Sequence, residues 1–392
     1  MAKSMAEFSK RKIVIVGGGI FGSAIAYVLT REGFDVTLFE SLSIGAHASS
    51  KNAGNLNPLD RTPSVLLPFA LESFRLHQAI VLELAELKSA HYNLLPSHRI
   101  LLELDESKRK SLERATDLFA STEGFSAEEL DVESLHQIEP RLSQNVRFGI
   151  LTKGSLAVDS YLLTMSLAQA AERLGAKYVC DSVLGVVKKG DRITGVKTYQ
   201  DRFACDEIIF ATGPWVGETE ACLDIEIDIE PIKGELLLMQ LSGKPLDYDF
   251  TWGTSCLYKR RKNEVWVGGT FEHSSFDRTP SIKNRASMLN QAAQIIPEIR
   301  EARLLEHVVG LRPMTSSGLP LVGRVVQWQN AYLANGGGSK GVLLSVGIAQ
   351  VIRDLLIEGK TKLSVESFLL GQEGRMVIGS NHDYASSSLS LI

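Results

Sequence analysis

Residues 12–40 read KIVIVGGGIFGSAIAYVLTREGFDVTLFE. The run KIVIV predicts a strand, SAIAYVLTREG recurs at helical spacing, and DVTLFE predicts a second strand, so the segment is a βαβ unit. Gly33 stands where a C′ glycine stops a helix. Gly17, Gly19 and Gly22 form G-x-G-x-x-G between the first strand and the helix. Without side chains there, backbone N–H groups and the positive helix end can approach a pyrophosphate. Glu40 ends the second strand 18 residues after Gly22, where a carboxylate accepts hydrogen bonds from an adenosine ribose. The motif points to a bound dinucleotide, and by itself it does not separate FAD from NAD.

Outward from this unit, residues 41–64 form a polar loop too long for a simple connector. Apolar residues return at helical spacing over 65–87, and the charged segment 105–139 predicts at least one amphipathic helix closed by Pro140. The run 160–175 predicts a helix ending at Gly175, followed by short strands and a buried strand, EIIF. Residues 229–309 become strand-rich, with one helix over 282–295. The last third returns to glycine-punctuated strands and a long helix, which makes the first domain discontinuous. The Ser-rich end from Gly374 predicts a loosely packed tail.

A chain of 392 residues calls for two domains. A net charge of −4 with both signs dispersed gives no electrostatic reason to expect nucleic acid or an anionic membrane. Cys180, Cys205, Cys222 and Cys256 form no C-x-x-C pair and have no clustered histidines, which argues against a metal or a disulfide framework. The polar, basic start and the absence of roughly 20 consecutive apolar residues lead to the expectation of a cytoplasmic protein without a transmembrane segment. Peripheral membrane contact and a homo-oligomer stay open.

Blocks along the whole chain resemble the D-amino-acid oxidase superfamily of FAD-dependent oxidoreductases, in its glycine oxidase and sarcosine oxidase-like branch. They are the glycine fingerprint, SSKNAGNLNP, GSLAVDSYLL, ATGPWV, PIKGE, VGGTFE, GLRPMTSSGLPLVGR and GGGSKGVLLSVGIAQ. The resemblance implies an α/β plus α+β protein. A discontinuous Rossmann-like FAD-binding domain (9–90, 153–222 and 310–372) would join a mixed-sheet substrate-binding domain (91–152 and 223–309), with a tail over 373–392.

Residue by residue, the resemblance places Ser49, Ser50, Asn52, Ala53 and Gly54 along the flavin and Asn55 near the substrate. Val183 matches a position whose backbone meets the adenine, and Ala211, Thr212 and Gly213 match a strand end beside the dinucleotide, followed by Trp215. Ile20, Phe21, Ser41 and Gly310 join the cofactor set. Gly336, Gly337, Gly338, Ser339, Lys340 and Gly341 precede a helix whose positive end could stabilise charge at flavin N1 and O2. Arg312 matches the arginine that clamps a substrate carboxylate and borders the cofactor. Tyr258 is a second carboxylate contact, although the family tyrosine could align near Cys256 instead. Trp252, His273 and Lys340 are further pocket candidates. The family's G-H-x-x-x-G has lost its histidine here, an arginine that can hold substrate is missing, and no cysteine is placed for a thioether, so FAD is expected to be noncovalent.

The implied reaction is oxidation of the C–N bond of a small carboxylated amine by hydride transfer to flavin N5. The imine then hydrolyses to an oxo acid, and electrons pass to oxygen or another acceptor. A 2-hydroxy-acid dehydrogenase, a flavoprotein acting on a modified nucleoside or within a partner complex, and a non-catalytic FAD-binding subunit are the alternatives.

Overall fold

Along Lys12–Val16 burial alternates between two faces. Ile13 and Ile15 join one apolar cluster, and Val14 joins another. A strand buried on both sides belongs inside a parallel sheet covered on both faces. In the computed structural model, which describes residues 11–370 except 274, and leaves aside the side chain of residue 111, Lys12–Val16 lies between the parallel strands Asp35–Glu40 and Glu207–Phe210. Lys177–Cys180 extends this seven-stranded sheet on one side, and Ala331–Asn335, Leu321–Arg324 and Leu369–Leu370 extend it on the other.

The helices Ile20–Arg31, Ser160–Arg173 and Gly341–Glu358 contribute Ala24, Ile25, Leu163, Leu167, Leu344 and Ile348 to the cluster containing Ile13 and Ile15. The opposite face is covered by a three-stranded antiparallel sheet, 185–204, whose Ile193 and Val196 pack with Val14, Phe39 and Phe210. Each fully buried Ile, Leu or Phe contributes roughly 1.5–3 kcal/mol before entropy is counted. This accounts for the near-continuous apolar runs in the parallel strands.

A second sheet, of nine strands, has Glu230–Gln240 paired along its length with Arg303–Met314. Arg99–Glu103, Ser126–Leu130 and Phe148–Lys153 join it from the earlier segment. The helix Ile282–Ile295 has the bounds the periodicity gives and packs on this sheet through Met288 and Ala292. The boundary expected at 310 falls inside the strand Arg303–Met314, because its pairing with Glu230–Gln240 continues to Met314. The charged segment 105–139 holds two helices, Arg109–Ser121 and Val132–Ile138, separated by the strand Ser126–Leu130. That strand is held by pairing to Phe148–Lys153 and, largely exposed, gives little apolar signal. Residues 1–10 and the tail over 373–392 lie outside the described residues.

The helix Leu67–Glu86 fixes the start of Gly341–Glu358. The Ser73 hydroxyl donates to the Leu343 carbonyl (2.7 Å) and accepts from the Gly347 N–H (3.0 Å), inserting itself into the helical hydrogen-bond ladder. His77, fully buried, has Nε2 2.9 Å from the Val342 oxygen and 3.0 Å from that of Leu343. Both partners are acceptors, so Nε2 carries the proton and Nδ1, which has no partner among the described residues, is bare. Burial pulls the His77 pKa down to about 4, against the two carbonyl contacts. An unfolded chain therefore takes up this proton below about 6.5 while the native one resists, and stability falls as pH drops from about 6.5 towards 4. The expected loss is roughly 3 kcal/mol. In denaturant titrations at pH 7.5 and 4.5, His77→Gln should have a lower stability at pH 7.5 and a shallower fall than the parent chain; an unchanged slope would remove His77 as the cause.

Candidate functional site at the strand ends

The ends of the parallel strands leave no room for side chains at the glycine turn. Gly17 has φ +108° and donates to the Phe39 carbonyl (2.8 Å), and an added Cβ would stand 2.3 Å from the Ala211 oxygen. At Gly22 an added Cβ would stand 1.8 Å from the Gly17 oxygen. Gly19 is the N-cap of Ile20–Arg31 and has no capping side chain of its own. The Ile20 N–H is instead accepted by Ser49 Oγ at 2.9 Å, so the loop after the second strand seals the helix start. Ile20 and Phe21 are buried beneath it. Glu40 takes the Gly18 N–H at 2.7 Å through one carboxylate oxygen, while the other accepts from the Leu42 N–H and the Ser41 hydroxyl.

The loop is braced residue by residue. Asn52 Nδ2 donates to the Ala48 and Ser49 carbonyls, its Oδ1 accepts from the Gly54 N–H, and Ser50 donates to the His47 oxygen. Gly54 has φ +69°, and a Cβ there would stand 1.7 Å from the Val158 oxygen. Arg260 holds the Ala53 carbonyl at 2.7 Å. The buried Asn55 Oδ1 has no hydrogen-bond partner among the described residues.

Across the strand ends, Gly213 presents its oxygen to Asn335 Nδ2, whose Oδ1 accepts the Gly336 N–H. Asn335 therefore ties the ATG turn to the glycine loop 336–341, a role that its place in a buried strand gave no sign of. Ala211 and Val183 are buried, and Thr212 pairs with Thr219. Trp215 stacks on His47 (centroids 4.1 Å) and lies 6.0 Å from Phe276. Gly337 is pressed against the Phe21 ring, and Ser339 is exposed.

The strand Arg303–Met314 passes between these loops. Gly310 abuts Lys51, and Met314 lies against Gly338. Between them Arg312 folds over Gly234, where a Cβ would stand 2.1 Å from its Nη1, and donates to the Thr270 oxygen at 3.0 Å. No ion pair to Arg312 occurs among the described residues, and burial lowers its pKa against the influence of Tyr258. Tyr258, on Ser255–Lys259, is pushed well above the ordinary phenol range by burial and by Cys256, so it is a neutral hydroxyl at physiological pH.

Three residues outside the sequence-derived set, or given another part in it, complete the cluster. Arg99 is 2% exposed, donates to Asp60 Oδ2 at 2.6 Å and lies over the Tyr258 ring at 5.1 Å. Lys340 Nζ donates to the Asn57 and Asp60 carbonyls, and burial brings its pKa down to about 8 despite Asp60. Burial raises the Asp60 pKa, but Arg99, Lys340 and Arg61 outweigh it and bring it to about 2. A single arginine on an apolar strand and an aspartate in a polar loop carry no motif, so their meeting is invisible until the sheet forms. Trp252 packs against the core of the second sheet, and the exposed His273 pairs with Glu230 at 3.1 Å.

A parallel sheet whose strand ends form a side-chain-free cradle, with a helix start beside it, defines a dinucleotide-binding protein of the Rossmann-like class. The family described as FAD dependent oxidoreductase matches residues 12–355, and the chain belongs to it. The chain is 27% identical to a glycine oxidase of Geobacillus kaustophilus over 91% of its length and 96% of that protein. It is 25% identical to a D-amino acid dehydrogenase of Azorhizobium caulinodans, covering 92% and 99%. The solved glycine oxidase structure from Geobacillus kaustophilus superposes with a TM-score of 0.85 at 26% identity, covering 93% and 99%. The protein is thus an FAD-dependent enzyme with the Rossmann-like α/β architecture the sequence predicts. No helix among the described residues is long and apolar enough to cross a membrane.

Gly22→Ala should fold yet bind FAD more than about tenfold more weakly, since relieving the contact with Gly17 moves the cradle at a cost above about 1.4 kcal/mol. Flavin absorbance per chain after dialysis against FAD checks this, and full retention would show that the turn is not the cofactor's seat.

Proposed function

We propose that the chain oxidises the C–N bond of a carboxylated amine, an amino acid or an N-substituted amino acid, with Arg312 holding the carboxylate. The observation that carries this reading is a partly buried guanidinium without a counter-ion among the described residues, seated between the two glycine-bearing loops. A cation in that position is costly unless an anion completes it, and a carboxylate matches the guanidinium fork. The glycine oxidase and D-amino acid dehydrogenase relatives support the same class.

In this reading Gly17, Gly19, Gly22 and the Ile20–Arg31 helix start hold the FAD pyrophosphate, and Glu40 with Ser41 meets the ribose. Val183, Ala211, Thr212, Gly213 and Trp215 line the adenosine side. Residues 49, 50, 52–54, 310 and 336–341 surround the flavin. When bound, FAD supplies the hydride acceptor. Tyr258, a neutral donor, gives the carboxylate a second hydrogen bond, and Asn55 Oδ1, a buried acceptor without a partner, is suited to the amine hydrogens. Burial around Arg312 and Tyr258 penalises an ammonium and so favours the neutral amine, whose lone pair assists loss of hydride. The imine product hydrolyses to an oxo acid in water.

Anaerobic spectra of the FAD-loaded protein with glycine, sarcosine, D- and L-amino acids and 2-hydroxy acids test the reading. Bleaching by an amine is expected; bleaching by hydroxy acids alone would replace the reading with hydroxy-acid oxidation. Arg312→Lys should raise the apparent KM by about 10–100-fold, because a point charge replaces the fork. Gly234→Ala should act in the same direction while FAD stays bound, since its methyl occupies the place of the guanidinium. An unchanged KM in both variants would remove Arg312 from carboxylate binding.

A further inference from the structure

Arg99 has no duty in the reading above, and its surroundings are unusual for an arginine. Its side chain is 2% exposed and donates to Asp60 through Nη1, while Nε and Nη2 have no hydrogen-bond partner among the described residues. Unmet donors of this kind cost about 1–3 kcal/mol each, more when charged. They persist in native structures where something else completes them.

The charges around Tyr258 do not cancel. Arg99 lies over the ring, Arg312 and Lys340 complete the positive set, and Asp60 is the carboxylate paired to Arg99. Asp249, the neighbouring buried acid, is spent on the Ser97 hydroxyl and the Lys259 N–H, and burial raises its pKa despite Arg99. Arg99, Arg312 and Lys340, with the exposed Arg61 beside Asp60, therefore face one firmly ionised carboxylate. One substrate carboxylate on Arg312 leaves an excess positive charge in a poorly solvated place, beside a guanidinium with two free donors. Tyr258 and Asp60 are both partly exposed, so the cluster is reached from their side even though Arg99 itself is covered.

We propose that Arg99 is a second anion-binding residue and that the substrate is an amine with two carboxylates, one held by Arg312 and the other by Arg99, which lies over the Tyr258 ring. Deepening the function proposed above, it rests on that reading for the oxidised bond. The free Nε and Nη2 of Arg99 form the paired edge of a guanidinium, the edge that takes a carboxylate through two parallel hydrogen bonds. Substrates that fit carry the second carboxylate on the nitrogen substituent or on the side chain.

The test compares dicarboxylate amines with isosteres lacking the second charge: iminodiacetate with N-ethylglycine, and aspartate and glutamate of both hands with 2-aminobutyrate and norvaline. Rates of flavin reduction in the holoenzyme should favour the dicarboxylates by at least about tenfold in kcat/KM, as one charge-assisted pair provides. In Arg99→Met that ratio should fall to near one, and in Arg99→Lys to an intermediate value. Monocarboxylate amines that reduce the flavin as well as their dicarboxylate partners overturn the second site and leave amine oxidation standing. Should no amine reduce the flavin, the function proposal fails on its own. The anion site is then judged by perturbation of the flavin spectrum: succinate and glutarate must bind at least about tenfold tighter than butyrate and valerate, and equal binding rejects it. If Arg99→Met does not fold, the comparisons on the unaltered protein decide.

Discussion

The close approach of backbone to backbone at the ends of the parallel strands sets everything else in place. Gly17 lies against the Ala211 carbonyl and Gly22 against that of Gly17, at distances that no Cβ could occupy. Because nothing projects there, the Ile20–Arg31 helix starts directly at the end of the central strand Lys12–Val16. Ser49 then closes the helix start from the following loop, and Glu40 braces Gly18 from the second strand. The long polar loop is therefore held by the same turn that forms the dinucleotide cradle, and the FAD family membership follows from features that share one steric cause.

A second constraint, electrostatic rather than steric, governs the other side of the site. The nine-stranded sheet brings Arg99, Tyr258 and Arg312 together from strands distant in sequence, while Asp60 and Lys340 arrive from the loops of the parallel-sheet side. Burial weakens the hold of Lys340 on its proton and lowers the pKa of Arg312, which has no counter-ion among the described residues. A region built this way is incomplete until an anion enters. In the function proposed above, the substrate carboxylate has a physical role beyond recognition, supplying charge that the folded chain leaves unbalanced.

The long strand Arg303–Met314 joins the two constraints. Its pairing with Glu230–Gln240 fixes Arg312 over Gly234, and Gly310 and Met314 in its C-terminal part touch Lys51 and Gly338 on the two glycine-bearing loops. The insertion of Ser73 into the ladder of Gly341–Glu358, with His77 beside it, sets how the last of these loops meets the sheet. Positioning thus depends on residues well away from the site, held by buried hydrogen bonds that are expensive to leave unmet.

The βαβ unit, its glycine turn and the return of α/β character near the end were legible in the sequence because they follow from local rules: strand and helix periodicities, and turns that only glycine can make. The helix 282–295 was legible for the same reason. The strand Ser126–Leu130 was not, since an exposed edge strand is held by backbone pairing and leaves little apolar signature. Glycines 17, 19 and 22 could be read from spacing alone, whereas Arg312 needed the resemblance of its whole block. Arg99 and Asp60 could not be found either way, because an arginine on an apolar strand acquires meaning only through the charges beside it. The sequence by itself determined the cofactor fold, where short-range sterics decide. Only the tertiary structure decided which charges share the buried space around Tyr258, because pairing between strands far apart in the chain, such as Arg99 with Asp249, brings them together.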